Sequence, residues 1–228
     1  MAVILETSIQ RYTGLSGDTK PTGIKPGSYY WASDTNILYK TYDGTNWALQ
    51  ECISGIYTLT KEQVIDASLG AYSIGDVVGA DDCCTTLAIP WIFDIRDAIA
   101  GFPIGGAVWI VGAALFNETE NQAVQYDLLL FNATPTGELR DNAANTNPLK
   151  GDKASYSAPR ISFPISTANG ATVATTMGVT PNTSGNIPKI FRCAAADTKL
   201  YGVLVTNTAY TQTPGDIIQI KLHITPES

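Results

Sequence analysis

Ile218, Ile220, Leu222 and Ile224 fall on one side of an extended chain, and Gln219, Lys221 and His223 fall on the other. Side chains alternate across a strand with a period of two. This stretch therefore reads as an antiparallel strand with one face in a core and one in water. No helical period persists over ten residues anywhere in the 228-residue chain. Two near-continuous apolar runs, Gly106 to Phe116 and Ala123 to Asn132, flank the polar Asn117-Glu118-Thr119-Glu120-Asn121 and read as a buried strand pair, the spine of a sheet. Shorter strands are expected at Ile56 to Thr60, Asp76 to Gly79, Ile161 to Ile165, Ile187 to Cys193 and Leu200 to Asn207. Thr85 to Phe93 is another, with Pro90 marking an edge or a bulge. Lys61 to Leu69 fits a turn of helix or a strand, and Phe93 to Ala100 fits one helical turn. About eight to ten strands joined by polar loops predict an all-β fold, a jelly-roll-like β-sandwich over residues 55–228. Residues 133–160 and 166–186 are long polar connections, of the kind that is usually functional or partner-bound.

The first 54 residues read differently. Residues 1–25 hold scattered Gly, Ser, Thr and Pro with no period, which predicts an extended arm held down by the domain, a sister subunit or a larger partner. Residues 26–54 alternate aromatic and β-branched runs with two turn signals, Asp34-Thr35-Asn36 and Asp43-Gly44, and predict a small three-stranded meander. Asp-Gly between such runs predicts a two-residue hairpin with positive φ at both central positions. The meander carries six large aromatics, namely Tyr29, Tyr30, Trp31, Tyr39, Tyr42 and Trp47, with Tyr29 and Trp31 in one phase. A three-stranded sheet cannot bury all six by itself. Its second face either packs on the main domain or is a contact surface, and aromatic enrichment is typical of interface cores.

Composition narrows the chemistry. The net charge is −7 and the 14 basic residues are scattered singly, which argues against a nucleic-acid footprint. Only 15% of residues are charged against the usual quarter, which suits an assembly component. The opening Met-Ala-Val-Ile-Leu-Glu has no basic segment or apolar core of signal length, and Ile104 to Phe116 is too short for a membrane span. The chain is expected to be made in the cytoplasm, to stay soluble and to bind no membrane. Cys52, Cys83, Cys84 and Cys193 show no metal or disulfide spacing and read as free thiols.

Catalytic signals are weak. His223, the lone histidine, lies in the exposed phase of the last strand, so Ser-His-Asp and Cys-His arrangements depend on it alone. The carboxylate pairs open to glycoside hydrolysis are Asp81-Asp82, Asp94 with Asp97, and Glu118 with Glu120, each with an ordinary explanation as turn or loop residues. Asp94 and Asp97 are expected to pair with Arg96. Glu138, Asp141 and Asp152 bring carboxylates into the 133–160 loop in no calcium-binding pattern. No catalytic residue, cofactor or metal site is assigned.

The segments Arg11-Tyr12-Thr13-Gly14-Leu15-Ser16-Gly17-Asp18-Thr19-Lys20-Pro21-Thr22-Gly23, Gly27-Ser28-Tyr29-Tyr30-Trp31-Ala32-Ser33-Asp34-Thr35 and Tyr42-Asp43-Gly44-Thr45-Asn46-Trp47 together resemble a module of tailed-bacteriophage virion proteins. Asp127 to Asn132, Asp141 to Ala144 and Leu200 to Val205 are similar to stretches of head-decoration and head-fibre proteins, whereas Trp91 and Cys83-Cys84 have no counterpart. The resemblance implies a decoration, or cement, protein on the capsid exterior. It would be a homotrimer that binds the major capsid protein and bridges capsomers on the mature head. Its expected contacts are Tyr12 and Leu15 in the arm together with the six meander aromatics, and residues 1–25 with 26–54 would be the anchor. A tail or fibre protein that binds a host receptor is the first alternative, and a carbohydrate-active sandwich enzyme the second.

Overall fold

The computed structural model describes residues 9–35, 37–52, 55–65, 70–79, 89–120, 122–156, 158–166, 174–179, 187–213 and 215–227. The chain divides into two compact units, residues 1–55 with 228, and residues 56–227. Every regular element among the described residues is a strand or a short 3-10 turn, so the protein is all-β. Asp81, Asp82, Cys83 and Cys84 lie outside the described residues.

The first unit is one four-stranded sheet in the order β1 (Arg11–Gly14), β2 (Tyr29–Ala32), β3 (Ile37–Thr41) and β4 (Trp47–Cys52). It has one strand more than the meander read from the sequence. Arg11–Gly14, placed in the arm by its lack of periodicity, pairs in parallel with Tyr29–Ala32. Four residues are too few to show alternation, and the partner that orders them follows after 14 intervening residues. Parallel neighbours need a crossover of about a dozen residues or more. Residues 15–28 provide it, and their path decides which face of the sheet is covered.

The β3–β4 connection also departs from expectation. Thr41 pairs with Trp47, leaving residues 42–46 as the loop, and Gly44 alone among its residues has positive φ, at 80°. The Asp43 carboxylate organises this turn in place of a two-residue hairpin. It accepts from the Thr45 and Asn46 backbone N–H groups at 2.8 and 2.7 Å, from Asn46 Nδ2 at 2.7 Å and from the Thr41 hydroxyl at 3.1 Å. Such side-chain-to-backbone bonds compete with regular turn geometry. Gly44 is required twice over. A Cβ there would sit 2.0 Å from the Ile24 carbonyl oxygen of the crossover, in a backbone conformation that L side chains rarely adopt.

The second unit holds two larger sheets. In one, β14 (Lys199–Thr206) pairs along one edge with β10 (Tyr126–Phe131), which pairs with β11 (Ala158–Phe163). Along its other edge β14 pairs with two short strands in succession, β7 (Val77–Val78) and β8 (Trp91–Asp94). The other sheet is built on β9 (Ala107–Glu120), flanked by β16 (Ile217–Pro226) and then β5 (Tyr57–Val64). The free edge of β9 takes β12 (Ala174–Val179) and β13 (Lys189–Arg192). A small ribbon pairs β6 (Ala71–Tyr72) with β15 (Tyr210–Thr211). All pairings among the described residues of this unit are antiparallel, and the arrangement is consistent with a β-sandwich.

The terminal strand behaves as its pattern dictates: Ile218, Ile220, Leu222 and Ile224 are fully buried, and Gln219, Lys221 and His223 are half-buried. Three other expectations change. Glu118 and Glu120 belong to β9, as exposed alternates of a 14-residue strand whose opposite phase, Asn117 and Thr119, is buried. The polar run 166–186 contains β12, because a Thr-rich segment satisfies its backbone on the edge of β9. The 133–156 segment is not a free loop. Backbone bonds tie Val77 N–H to Ala143, Asn145 N–H to Gly75 and Asn132 N–H to Ser155, and its Leu139 and Tyr156 pack on a buried cluster of Val77, Leu129, Phe131, Val203 and Val205. That is why all six residues of β10 are buried, on both faces of the strand.

Candidate functional site

The crossover makes the two faces of the small sheet unequal. Tyr12, Tyr30, Tyr39 and Trp47 share one face through the register pairs Tyr12–Tyr30, Tyr30–Tyr39 and Thr41–Trp47. Their rings meet edge to face: Tyr30 lies 5.9 Å from Trp47 and 6.4 Å from Tyr39, and Tyr12 lies 6.3 Å from Trp47. Such pairs add about 0.5–1.5 kcal/mol each beyond simple burial. The crossover closes this face. Lys20 Nζ stands 4.3 Å from the Tyr39 ring centre and 5.0 Å from that of Tyr30, Trp47 Nε1 donates to the Pro21 carbonyl, and the Tyr30 hydroxyl donates to the Leu15 carbonyl. Tyr30 is only 3% exposed. Burial, then the nearby Asp18 and Asp34 carboxylates, raises its phenol pKa and keeps it a neutral donor. This face is the unit's own core.

The opposite face carries the alternate residues, in the register pairs Arg11–Tyr29, Thr13–Trp31, Tyr29–Lys40 and Trp31–Leu38. They line an open groove of about 580 Å³. Lys40 Nζ lies 5.4 Å from the Tyr29 ring centre and 5.1 Å from that of Tyr42, which is 64% exposed. The groove thus offers the Tyr29 and Trp31 rings with Tyr12 at its edge, the Leu38 side chain and two cations, Arg11 and Lys40, in a chain whose net charge is −7. An apolar surface with a few fixed charges is the composition of a protein-contact surface.

Of the eight contact residues expected from the sequence, the structure gathers Tyr29 and Trp31 in the groove, with Tyr42 beside Lys40. Tyr30, Tyr39 and Trp47 lie on the covered face, and Tyr12, whose ring packs there, also reaches the groove's edge. Leu15 is exposed in the crossover's first turn, where Leu15 N–H donates to Asp18 and the Ser16 N–H and hydroxyl both donate to Asp34. Arg11, Thr13, Leu38 and Lys40 were not anticipated. For Leu38 and Lys40 a signal was present, since alternation from Tyr29 and Trp31 across the turn places them opposite; for Arg11 and Thr13 the parallel partner was invisible.

Asp94, Glu118 and the three carboxylates of the 133–160 segment are otherwise engaged. The Asp94 carboxylate caps the 3-10 turn Ile95–Asp97 through Arg96 N–H and accepts from the Thr198 hydroxyl. Arg96 turns away from the expected ion pair and donates through Nε to the Phe102 carbonyl. Glu118 accepts from Ile217 N–H. In the former calcium candidates, Glu138 is forked by Arg140, Asp141 accepts from the Tyr72 hydroxyl and Gly79 N–H, and Asp152 accepts from Thr136. Arg140 holds the Glu138 carboxyl down at about 2. His223 faces the Thr58 hydroxyl at 3.1 Å and sits against Gly112, where a Cβ would come within 3.0 Å of its ring. Among the described residues no group of three or more His, Cys, Asp or Glu is placed to hold a metal ion. Cys193 is buried, and burial followed by the Asp197 and Asp94 charges pushes its thiol up to about 12, away from nucleophilic use.

The Asp43 turn gives the first unit an acid-labile joint. Its carboxyl is held well below the usual range, chiefly by the Thr45 and Asn46 backbone N–H groups, and Asp34 is lowered chiefly by the Ser16 hydroxyl. A carboxyl whose folded pKa is depressed stabilises fully above its unfolded value of about 3.9, and that contribution fades as pH falls through the folded value. The Thr45 and Asn46 amide resonances are expected to keep their folded shifts through about pH 4, where a free carboxyl is half protonated, and to lose them only as pH falls on through the depressed folded value. In Asp43→Asn the same resonances should already be perturbed at pH 7. Native shifts in that variant would show that the carboxylate does not hold the turn.

No protein-family model matches the chain, and no curated protein matches it in sequence.

Proposed function

We propose that the protein is a non-enzymatic capsid decoration, or cement, protein of a tailed bacteriophage. In this reading it binds the major capsid protein on the exterior of the mature head as a homotrimer and bridges neighbouring capsomers. The observation that carries the reading is the open groove of the first unit, where Tyr29 and Trp31 stand beside Arg11 and Lys40 on the face that the crossover leaves bare. None of the described residues that line it is a carboxylate, histidine or cysteine, which favours attachment over catalysis. Any protein that binds only the assembled lattice stabilises that lattice by mass action, and a trimer compounds modest contacts through avidity.

The topology proposed with it is a jelly roll, and strand order supports it. Numbered in chain order, with β7/β8 and β12/β13 each taken as one lane, the lanes are β5, β7/β8, β9, β10, β11, β12/β13, β14 and β16. The sheets then read 5-4-7-2 and 6-3-8-1, the interleaving of two Greek keys. The test is co-sedimentation of purified protein with mature and immature heads, together with its copy number per virion. Saturable binding to mature heads alone and a copy number matching the capsid lattice are expected. A copy number matching the tail would place the protein among tail or fibre components, and no binding to either head form would sink the reading.

A further inference from the structure

The second unit contains a cleft that the attachment reading leaves unused. It lies where the 133–156 segment crosses the outer surface of β10 and β14. It has a volume of about 540 Å³, with Leu129 and Val205 in its floor and Tyr156 and Pro148 among its walls. Asp127 and Arg160 supply its charge, and Asn145, Asn147 and Asn207 its amides.

Asp127 is the unusual member. It is 4% exposed, and only one of its oxygens is satisfied by a partner: Oδ2 accepts from Arg160 Nη1 at 3.0 Å. Its Oδ1 is buried with no hydrogen-bond partner among the described residues. Leaving a carboxylate oxygen buried and unpaired is costly, so Asp127 gains from any donor brought to this oxygen. The Arg160 side chain is 63% exposed, and a guanidinium that gives one N–H to Asp127 keeps others for a ligand.

The charges select the ligand's class. The carboxylate and guanidinium neutralise one another, so the cleft favours neither a cation nor an anion. An acceptor in its depth, a donor fork at its mouth, amides on the rim and apolar walls match a neutral ligand whose groups both donate and accept. We propose that this cleft binds a hydroxyl-rich ring, one pyranose unit of a glycan. One hydroxyl donates to the Asp127 carboxylate as a small side-chain rotation turns Oδ1 towards the cleft, and a neighbouring hydroxyl oxygen accepts from Arg160. The volume lies within the range of small-molecule sites and exceeds what one ring needs. The proposal does not rest on the capsid reading, because the groove lies in the first unit and the cleft in the second.

The probes are the methyl glycosides of glucose, galactose, mannose and N-acetylglucosamine, titrated into the full chain with ligand-observed NMR. At least one is expected to bind saturably with a Kd of about 1–10 mM, as befits a single ring with few contacts. Asp127→Asn replaces the acceptor with a group of the same shape and is expected to weaken that binding about tenfold or more. Arg160→Met, at an exposed position, is expected to weaken it about threefold or more and decides the matter if Asp127→Asn fails to fold. Trp31→Ala, in the other unit, is expected to leave it unchanged. Absence of saturable binding by all four glycosides overturns the proposal. So does equal affinity in the folded cleft variants, or loss of binding in Trp31→Ala.

Discussion

Trp31→Ala is expected to weaken attachment to mature heads by about 30-fold per site while the protein stays folded. The figure follows from the ring's place in the groove. Trp31 is half-buried on the uncovered face, opposite Leu38 and Thr13 in register, and contributes nothing to the Tyr30–Trp47 cluster behind it. Central aromatics of protein interfaces cost about 2 kcal/mol or more on truncation, which is that factor in affinity. In the proposed trimer the loss compounds over three sites. Tyr29→Ala should act in the same direction. Lys40→Ala should act mainly on association rate and its dependence on salt, because a charge at the rim steers more than it holds. Tyr30→Ala serves as the contrast, since it removes the hub of the covered face and the hydroxyl that holds the Leu15 carbonyl, and is expected to unfold the first unit. Binding by co-sedimentation and folding by NMR separate the two effects. If Trp31→Ala decorates heads as the parent does, the groove is not the anchor.

The difference between Trp31 and Tyr30 also marks what was legible in the chain. That the aromatics belong to a small sheet, and that Tyr29 and Trp31 share a face, follows from a period of two and needs nothing else. Which face is covered does not follow, because it depends on the path of residues 15–28, and that path exists only because Arg11–Gly14 pairs in parallel with a later strand. Local pattern is blind to such a partner. The Asp43 turn fails for another reason. Its dipeptide is the right one for a tight hairpin, but the carboxylate finds three donors within the loop and a longer turn wins. In the second unit, the long apolar strands and the terminal alternation were plain, because burial on one or both faces writes itself into composition. β12, in a Thr-rich run, was harder to read. It draws its order from the neighbour it pairs with more than from its own sequence.

The 133–156 segment tests that lesson with the largest expected effect on stability. It has the composition of a surface loop, yet Phe131 beneath it is fully buried, in contact with Val77, Leu129, Val203 and Val205 and with the Tyr156 ring 5.1 Å away. Without the segment, the outer phase of β10 would face water. Phe131→Ala removes the ring on which the cover rests, and truncations of buried Phe typically cost about 3–5 kcal/mol. Against a total stability of about 5–15 kcal/mol, that is a major fraction. The urea midpoint is expected to fall accordingly with little change in slope, as it does when stability changes without a change in the surface exposed on unfolding. A second readout separates core from cover. Trypsin sites at Arg140, Lys150 and Lys153 lie within the segment, and their cleavage should accelerate in Phe131→Ala under native conditions, because the backbone ties at Ala143, Asn145 and Ser155 then hold a segment with no apolar seat. Leu149→Ala, at a residue 41% exposed on the same segment, should change stability by less than about 0.5 kcal/mol. A Phe131→Ala midpoint close to that of Leu149→Ala would mean that the segment lies on the sheet without being part of its core, and the cleft beneath it would then lack the fixed wall that a ligand needs.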